Sequence, residues 1–215
     1  MKNNFNVFIS SIMAGFIIGI SVAVYLTCCS MDQKVIGSIL FALGLFSIIH
    51  FKLYLYTGKV GNLLHEKPSY IITLLVCLAG NIIGAALLSG LVMLTRSYEN
   101  IYEYAHKLAL AKENDTWYSI FILANLCGVM IYTAYKGHEK CEYPVGKFAF
   151  IFAGISIFIL AGFEHCVANV SYFIFGQVIT WNTVFLFIVM VLGNAVGAIV
   201  FDYVLNYLFN SKKEH

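Results

Sequence analysis

Apolar residues fall in long blocks separated by short polar stretches. The blocks lie at about 6–28, 35–64, 69–95, 116–136, 147–175 and 181–209. Each is long enough for a helix to cross the hydrocarbon core of a bilayer, which takes about 20 residues. Lipid offers no partner to a bare backbone N–H or C=O, so helices are the expected form of each span. The pattern predicts an all-α polytopic membrane protein of six spans in a single membrane domain over 1–215.

Two blocks are too long and too polar at their centres for simple helices. The second holds His50, Lys52, Thr57, Gly58 and Lys59. The fifth holds Gly162-Phe163-Glu164-His165-Cys166-Val167-Ala168-Asn169, an acid and a histidine side by side within an apolar run. An ionisable pair at bilayer depth costs several kcal/mol unless it faces protein or a polar path. Both blocks are therefore expected to be pairs of shorter helices joined by irregular backbone, and His165 and Glu164 are the first candidates for function.

A repeat runs through the same map. Gly80-Asn81-Ile82-Ile83-Gly84-Ala85 in the third block returns as Gly193-Asn194-Ala195-Val196-Gly197-Ala198 in the sixth, 113 positions later. The two broken spans centre on Thr57 and His165. Half-repeats of about 1–100 and 101–215, each with three spans, must run in opposite directions through the membrane. Inverted repeats with paired broken helices place a binding or permeation site near the midplane. The glycines and alanines also suit close helix packing, whereas buried Asn81 and Asn194 need hydrogen-bond partners.

Charge sets the expected orientation. An even number of crossings puts both termini on one side, with Lys2, Lys59, Lys67, Lys136, Lys140, Lys147, Lys212 and Lys213. Lys34, Arg96, Lys107 and Lys112 fall on the other. The excess predicts cytoplasmic termini in a cell (inner) membrane. The one long outer loop, about 96–115, mixes acids and bases and is expected to be partly helical. Trp117 and Trp181 fit an interfacial aromatic belt.

Composition agrees with a lipid setting. Apolar residues make up 60% of the chain and charged residues 11%, with a net charge of +2. A soluble globule carries about a quarter charged residues. No basic arm or zinc-finger spacing points to nucleic acid, and no metal or cofactor is implied. The six cysteines lie mostly within apolar spans and read as small apolar residues. Tyr25-Leu26-Thr27-Cys28 lacks the small residues of a lipoprotein cleavage site, so no cleaved signal is expected. A membrane-embedded enzyme using His165 and Glu164 as acid and base is a remote alternative, because no His-x-x-x-His or paired-acid motif accompanies them.

The motifs resemble the formate/nitrite transporter family, which includes hydrosulfide channels. The similarity covers nearly the whole chain and is strongest at Gly162-Phe163-Glu164-His165 with Ala168-Asn169. Leu55-Tyr56-Thr57-Gly58 resembles the family's Leu-Phe-Thr-Gly loop, and Phe41-Ala42-Leu43-Gly44-Leu45 the segment leading into it. Asn81, Asn125 and Asn194 match asparagines of the third, fourth and sixth spans, Lys147 a lysine eighteen residues before the histidine, and Phe158 a narrowing phenylalanine. Three positions depart from the pattern. Tyr54 replaces an acid, Tyr56 replaces a phenylalanine, and Lys112 stands thirteen residues before Asn125 where the family has a lysine at sixteen. Lys107 is the rival for that outer lysine.

The resemblance implies an aquaporin-like fold, a homopentamer with a pore in each subunit, and passage of small monovalent anions such as formate, nitrite or hydrosulfide. It makes His165 the central pore residue, faced by Thr57, with Glu164, Asn125 and Asn169 nearby. Phe41, Leu45, Leu55, Tyr56 and Phe158 are the expected constrictions, Lys112 or Lys107 the outer vestibule charge, and Asn81, Asn194 and Lys147 structural polar residues. A narrow apolar passage rejects hydrated ions, and a histidine can lend a hydrogen bond or a proton near neutral pH. Glu164 either balances the ring or caps a half-helix facing away. A proton-coupled carrier of weak acids with alternating access stays open beside the channel.

Overall fold

Residues 4–211 are described by a computed structural model. The chain runs through helices α1 (Asn4–Ser30), α2 (Lys34–His50), α3 (Tyr56–Lys59), α4 (Tyr70–Met93), α5 (Glu99–Glu113), α6 (Trp117–Lys140), α7 (Pro144–Leu160), α8 (Cys166–Phe175) and α9 (Trp181–Ser211). A 3-10 turn, Val60–His65, follows α3 directly. No strand occurs among the described residues. Helices α1, α4, α6 and α9 are each long and apolar enough to cross a membrane. Lys2, Lys212 and Lys213, three of the lysines used to orient the chain, lie outside the described residues.

Two helix pairs form the frame, α1 with α4 and α6 with α9. Both approach backbone to backbone. A Cβ on Gly84 would stand 1.9 Å from the carbonyl oxygen of Ile12, and one on Gly197 would stand 2.0 Å from that of Asn125. Only glycine allows such contact, the usual solution where lipid supplies no hydrophobic drive for helices to associate. The pairs match at the repeat spacing: Gly15 meets the carbonyl of Asn81, and Gly128 that of Asn194.

Between these pairs the second and fifth blocks break. Helix α2 ends with Lys52 N–H bonded to the Ile49 carbonyl and Leu53 N–H to that of Ile48. Helix α7 ends with Gly162 N–H bonded to Ile159 and Phe163 N–H to Phe158. Each is a left-handed helix cap, with Lys52 at φ 55° and Gly162 at φ 71°. The irregular backbone beyond is satisfied by one asparagine in each case. Asn81 accepts from Tyr56 N–H at 2.8 Å and donates to the carbonyls of Ser11 and Tyr54 at 2.8 and 2.9 Å. Asn194 accepts from Cys166 N–H at 2.9 Å and donates to those of Ala124 and Glu164 at 2.7 and 2.8 Å. Both amides are fully buried. Each holds an irregular segment against its helix pair, the condition under which broken backbone is tolerated at membrane depth.

The stretch 96–115 is more ordered than a partly helical loop. Helix α5 fills most of it and lies over the end of α8. Tyr98 donates to the Phe175 carbonyl at 2.7 Å, and His106 Nδ1 donates to that of Gly176 at 2.7 Å. Buried Ile101, Ala105 and Ala109 give α5 an apolar face, which turns its last turn, with Lys112, inward.

Candidate functional site

The two broken segments meet at one hydrogen bond. Thr57 Oγ1 lies 3.0 Å from His165 Nε2, and both residues are buried. His165 is also the N-cap of α8, its Nδ1 3.1 Å from the N–H of Ala168. A backbone N–H only donates, so Nδ1 is an acceptor and carries no proton. A neutral ring then holds its proton on Nε2 and donates to Thr57. Charging the ring would break the cap and place a cation at a helix N-terminus, where the helix dipole opposes it.

Apolar side chains pack around this bridge. The Phe158 ring stacks on His165 with centroids 5.9 Å apart, and Phe41 meets Phe158 edge-on at 6.0 Å. Leu45 and Leu55 are buried, and Tyr56 is turned toward α9, with its hydroxyl 3.4 Å from the Val191 carbonyl.

A small cavity of about 70 Å3 lies on one side of the bridge. His165, Phe158, Asn169, Lys112, Tyr25 and Tyr172 are among its walls. Lys112 Nζ donates to both carboxylate oxygens of Glu164, at 2.7 and 2.6 Å, and sits 5.2 Å from the centre of the Tyr172 ring. Asn169 Nδ2 donates to the same carboxylate at 2.8 Å and to the His165 carbonyl at 3.0 Å. Glu164 is 4% exposed and the Lys112 side chain 14%. The two charges cancel locally, so Lys112 is a half-buried partner of Glu164.

A second cavity, of about 600 Å3, opens on the other side, where Gly58 follows Thr57. Lys52, Lys59, Lys136, Lys147 and Tyr135 contribute to its walls. His50 is exposed, its ring packed on Phe46 and near His138.

The structure thus gathers Thr57, His165, Glu164, Asn169, Lys112 and Phe158 at one place. Lys107 is exposed on α5 and lines neither cavity. Asn125, expected near the pore, differs: its carbonyl and Oδ1 face Gly197 in the contact between α6 and α9. Lys147 lines the large cavity. Trp117 and Trp181 are exposed at the starts of α6 and α9, as an interfacial pair requires.

One polar cluster escaped the sequence reading. Asp202, the only charged residue in the run 181–209, is buried. It accepts from the Tyr132 hydroxyl, contacts His65 Nε2, and accepts from Asn206 Nδ2 at 2.9 Å. These bonds tie the 3-10 turn beyond Thr57 to α6 and α9. A lone acid deep in an apolar run was the available signal. Among the described residues no set of three or more His, Cys, Asp or Glu side chains is placed to hold a metal ion.

Long apolar helices, two interrupted ones and a closed polar centre between two cavities define a polytopic membrane protein of the transporter and channel class. Residues 1–208 match the formate/nitrite transporter family, and the chain belongs to it. The formate channel FocA of Haemophilus influenzae is 26% identical over 187 residues, which cover 78% of this chain and 65% of that relative's length. Two solved structures share the fold. One is a pentameric formate channel with formate bound, at 21% identity and a TM-score of 0.84, covering 96% of this chain and 97% of the other. The second is an ion channel of the same family, at 21% identity and a TM-score of 0.82, covering 97% and 91%. The family is one of transporters, not enzymes.

Proposed function

We propose that the chain is a membrane channel for small monovalent anions, formate first, with nitrite and hydrosulfide as the other candidates. The observation that carries this reading is the Thr57–His165 bridge between two cavities. A small anion crossing a bilayer faces a large desolvation penalty. At the bridge, the Nε2 proton and the threonine hydroxyl offer it two hydrogen bonds, and a proton passed on from Nε2 would remove its charge only as the ring regains one from solution. Glu164 and Lys112 hold the adjacent wall, and Asn169 links that pair to the His165 backbone.

The recurring contacts at the 113-residue spacing support six crossings as an aquaporin-like inverted repeat of three plus three within one domain. The lysine bias supports cytoplasmic termini and a place in the cell membrane. The relative's pentameric state, with glycine-rich helix faces here, supports a homopentamer in lipid. Light scattering of the detergent-solubilised protein, corrected for bound detergent, should give about five protein masses; a clean monomer or dimer contradicts it.

A proton-coupled carrier is the second reading. It is favoured by one observation: Thr57 and His165 are in direct contact, so an anion passing between them must part them. Proteoliposomes separate the two. A channel carries formate, nitrite and hydrosulfide down their gradients and excludes chloride, whereas a carrier accumulates formate uphill when given a proton gradient. Formate flux no faster than in protein-free liposomes sinks both readings.

A further inference from the structure

Two apolar clefts open on the surface of the helix bundle, one on each side of Phe150. The first, of about 350 Å3, lies between α6 and α9, with Phe201, Leu205 and Phe209 among its walls. The second, of about 360 Å3, lies between α6 and α7, with Met130, Ala153 and Ile157 among its walls. Thr133 and Phe150 line both. Phe150 is seated on Gly137, where a Cβ would stand 2.2 Å from its ring. The two clefts reach the same end of the bundle, the connection from α6 to α7, the first at Cys141 and the second at Gly146. Those ends adjoin, since a Cβ on Gly146 would lie 2.4 Å from Cys141 Sγ.

Length and charge both bear on what fills them. Along α6 the walls run from Lys140 back to Met130, about 15 Å at the helical rise. That is half of the roughly 30 Å hydrocarbon core, the depth of one leaflet. Lys140 is exposed in the last turn of α6, at the polar end of the first cleft, with its ammonium 4.3 Å from the centre of the Phe209 ring. No carboxylate lies within ion-pairing distance of it among the described residues. Lys136, the other lysine of that cleft, is paired with Glu139 at 3.0 Å. Glu142 is exposed in the connection and lines neither cleft. One positive charge is thus left at the polar end of two apolar slots.

We infer that the two clefts seat one diacyl phospholipid with a singly negative headgroup, of the phosphatidylglycerol kind. One acyl chain lies in each cleft, astride Phe150, and the phosphate meets Lys140. Apolar contact alone cannot select such a lipid, because every bilayer phospholipid offers the same chains. The lysine supplies the selection, as basic pockets between membrane helices do for anionic headgroups. Its ammonium already faces an aromatic ring, and a phosphate there adds a charge-assisted hydrogen bond. The lipid also bridges α7 to α9, which each pack on α6. The inference does not depend on which anion the protein carries.

Native mass spectrometry of the full chain in a neutral detergent tests it, by titration with phosphatidylglycerol or with phosphatidylcholine of the same chains. Wild type should hold one phosphatidylglycerol per subunit about fivefold more tightly than phosphatidylcholine, the effect of one lysine near a membrane surface. Lys140→Gln, at an exposed position, should erase that preference and leave phosphatidylcholine binding unchanged. Ala153→Trp, which fills the second cleft from an exposed position, should weaken both lipids by about tenfold or more. Lys107→Gln, on α5 and in the wall of neither cleft, should behave as wild type.

Equal affinity of wild type for the two lipids, or a preference that survives Lys140→Gln, overturns the inference. Loss of the preference in Lys107→Gln as well traces it to net charge and also overturns it. Undiminished phosphatidylglycerol binding by Ala153→Trp removes the two-chain seat and with it the proposal. If a second copy of the chain fills the clefts instead, wild type binds neither lipid and Ala153→Trp releases single subunits, which overturns it too.

Discussion

Replacing His165 with asparagine should lower formate flux about 100-fold and flatten its dependence on pH, while the protein still folds and assembles. Asparagine is among the best N-cap residues, so the bond to Ala168 N–H that His165 now makes is retained in kind. The substitution therefore removes titration and the donor to Thr57 without removing the helix start. The magnitude is the lower range of what a positioned proton donor supplies. The sign follows from the site: the ring passes its Nε2 proton to the anion and regains one from solution, so wild-type flux rises as pH falls, and His165→Asn loses that rise. His165→Phe removes the cap as well and should add a loss of stability. Unchanged flux with an unchanged pH profile in His165→Asn would mean that the ring is only structural.

The second large effect lies at Lys112. Its ammonium is the one cation paired with Glu164 among the described residues, and Glu164 is buried. Lys112→Met leaves that carboxylate with only Asn169 and should cost about 3–5 kcal/mol, as breaking a buried pair from one side does. The expected readout is a marked drop in the thermal midpoint in detergent. Lys112→Met combined with Glu164→Gln should recover most of it, because no buried charge then remains. Lys107→Met, on the exposed face of the same helix, should stay within about 0.5 kcal/mol of wild type. Equal behaviour of the two lysine variants would show that the ion pair contributes nothing to the fold. Because the pair is neutral, salt-dependent gathering of anions is not expected from Lys112 alone.

Much of this arrangement was legible in the order of residues. Gly162 and the acid–histidine pair marked the fifth block as broken, and the repeated Gly-Asn-x-x-Gly-Ala pointed to the two asparagines that hold the irregular segments. Thr57 and His165 are 108 positions apart, and the repeat paired their segments while the family resemblance made their side chains face each other. The link between Lys112 and Glu164 was hidden: 52 residues separate them, and the contact depends on how α5 docks over α8. Lys112 was expected as an open vestibule charge because hydropathy does not register a short amphipathic helix folding inward. Asn125 was set near the pore by the family resemblance, whereas its carbonyl and Oδ1 lie against Gly197 on α9. The left-handed backbone at Lys52 had no signature at all, since a lysine gives no hint of a position that ordinarily selects glycine.

The central claim is that the anion passes between Thr57 and His165, and a cryo-electron microscopy map of the protein in lipid nanodiscs with saturating formate tests it most directly. The account predicts a planar density within hydrogen-bond reach of both Thr57 Oγ1 and His165 Nε2, with those two atoms drawn apart beyond the 3.0 Å that now joins them. Formate density found elsewhere, with the Thr57–His165 bond intact, would contradict it.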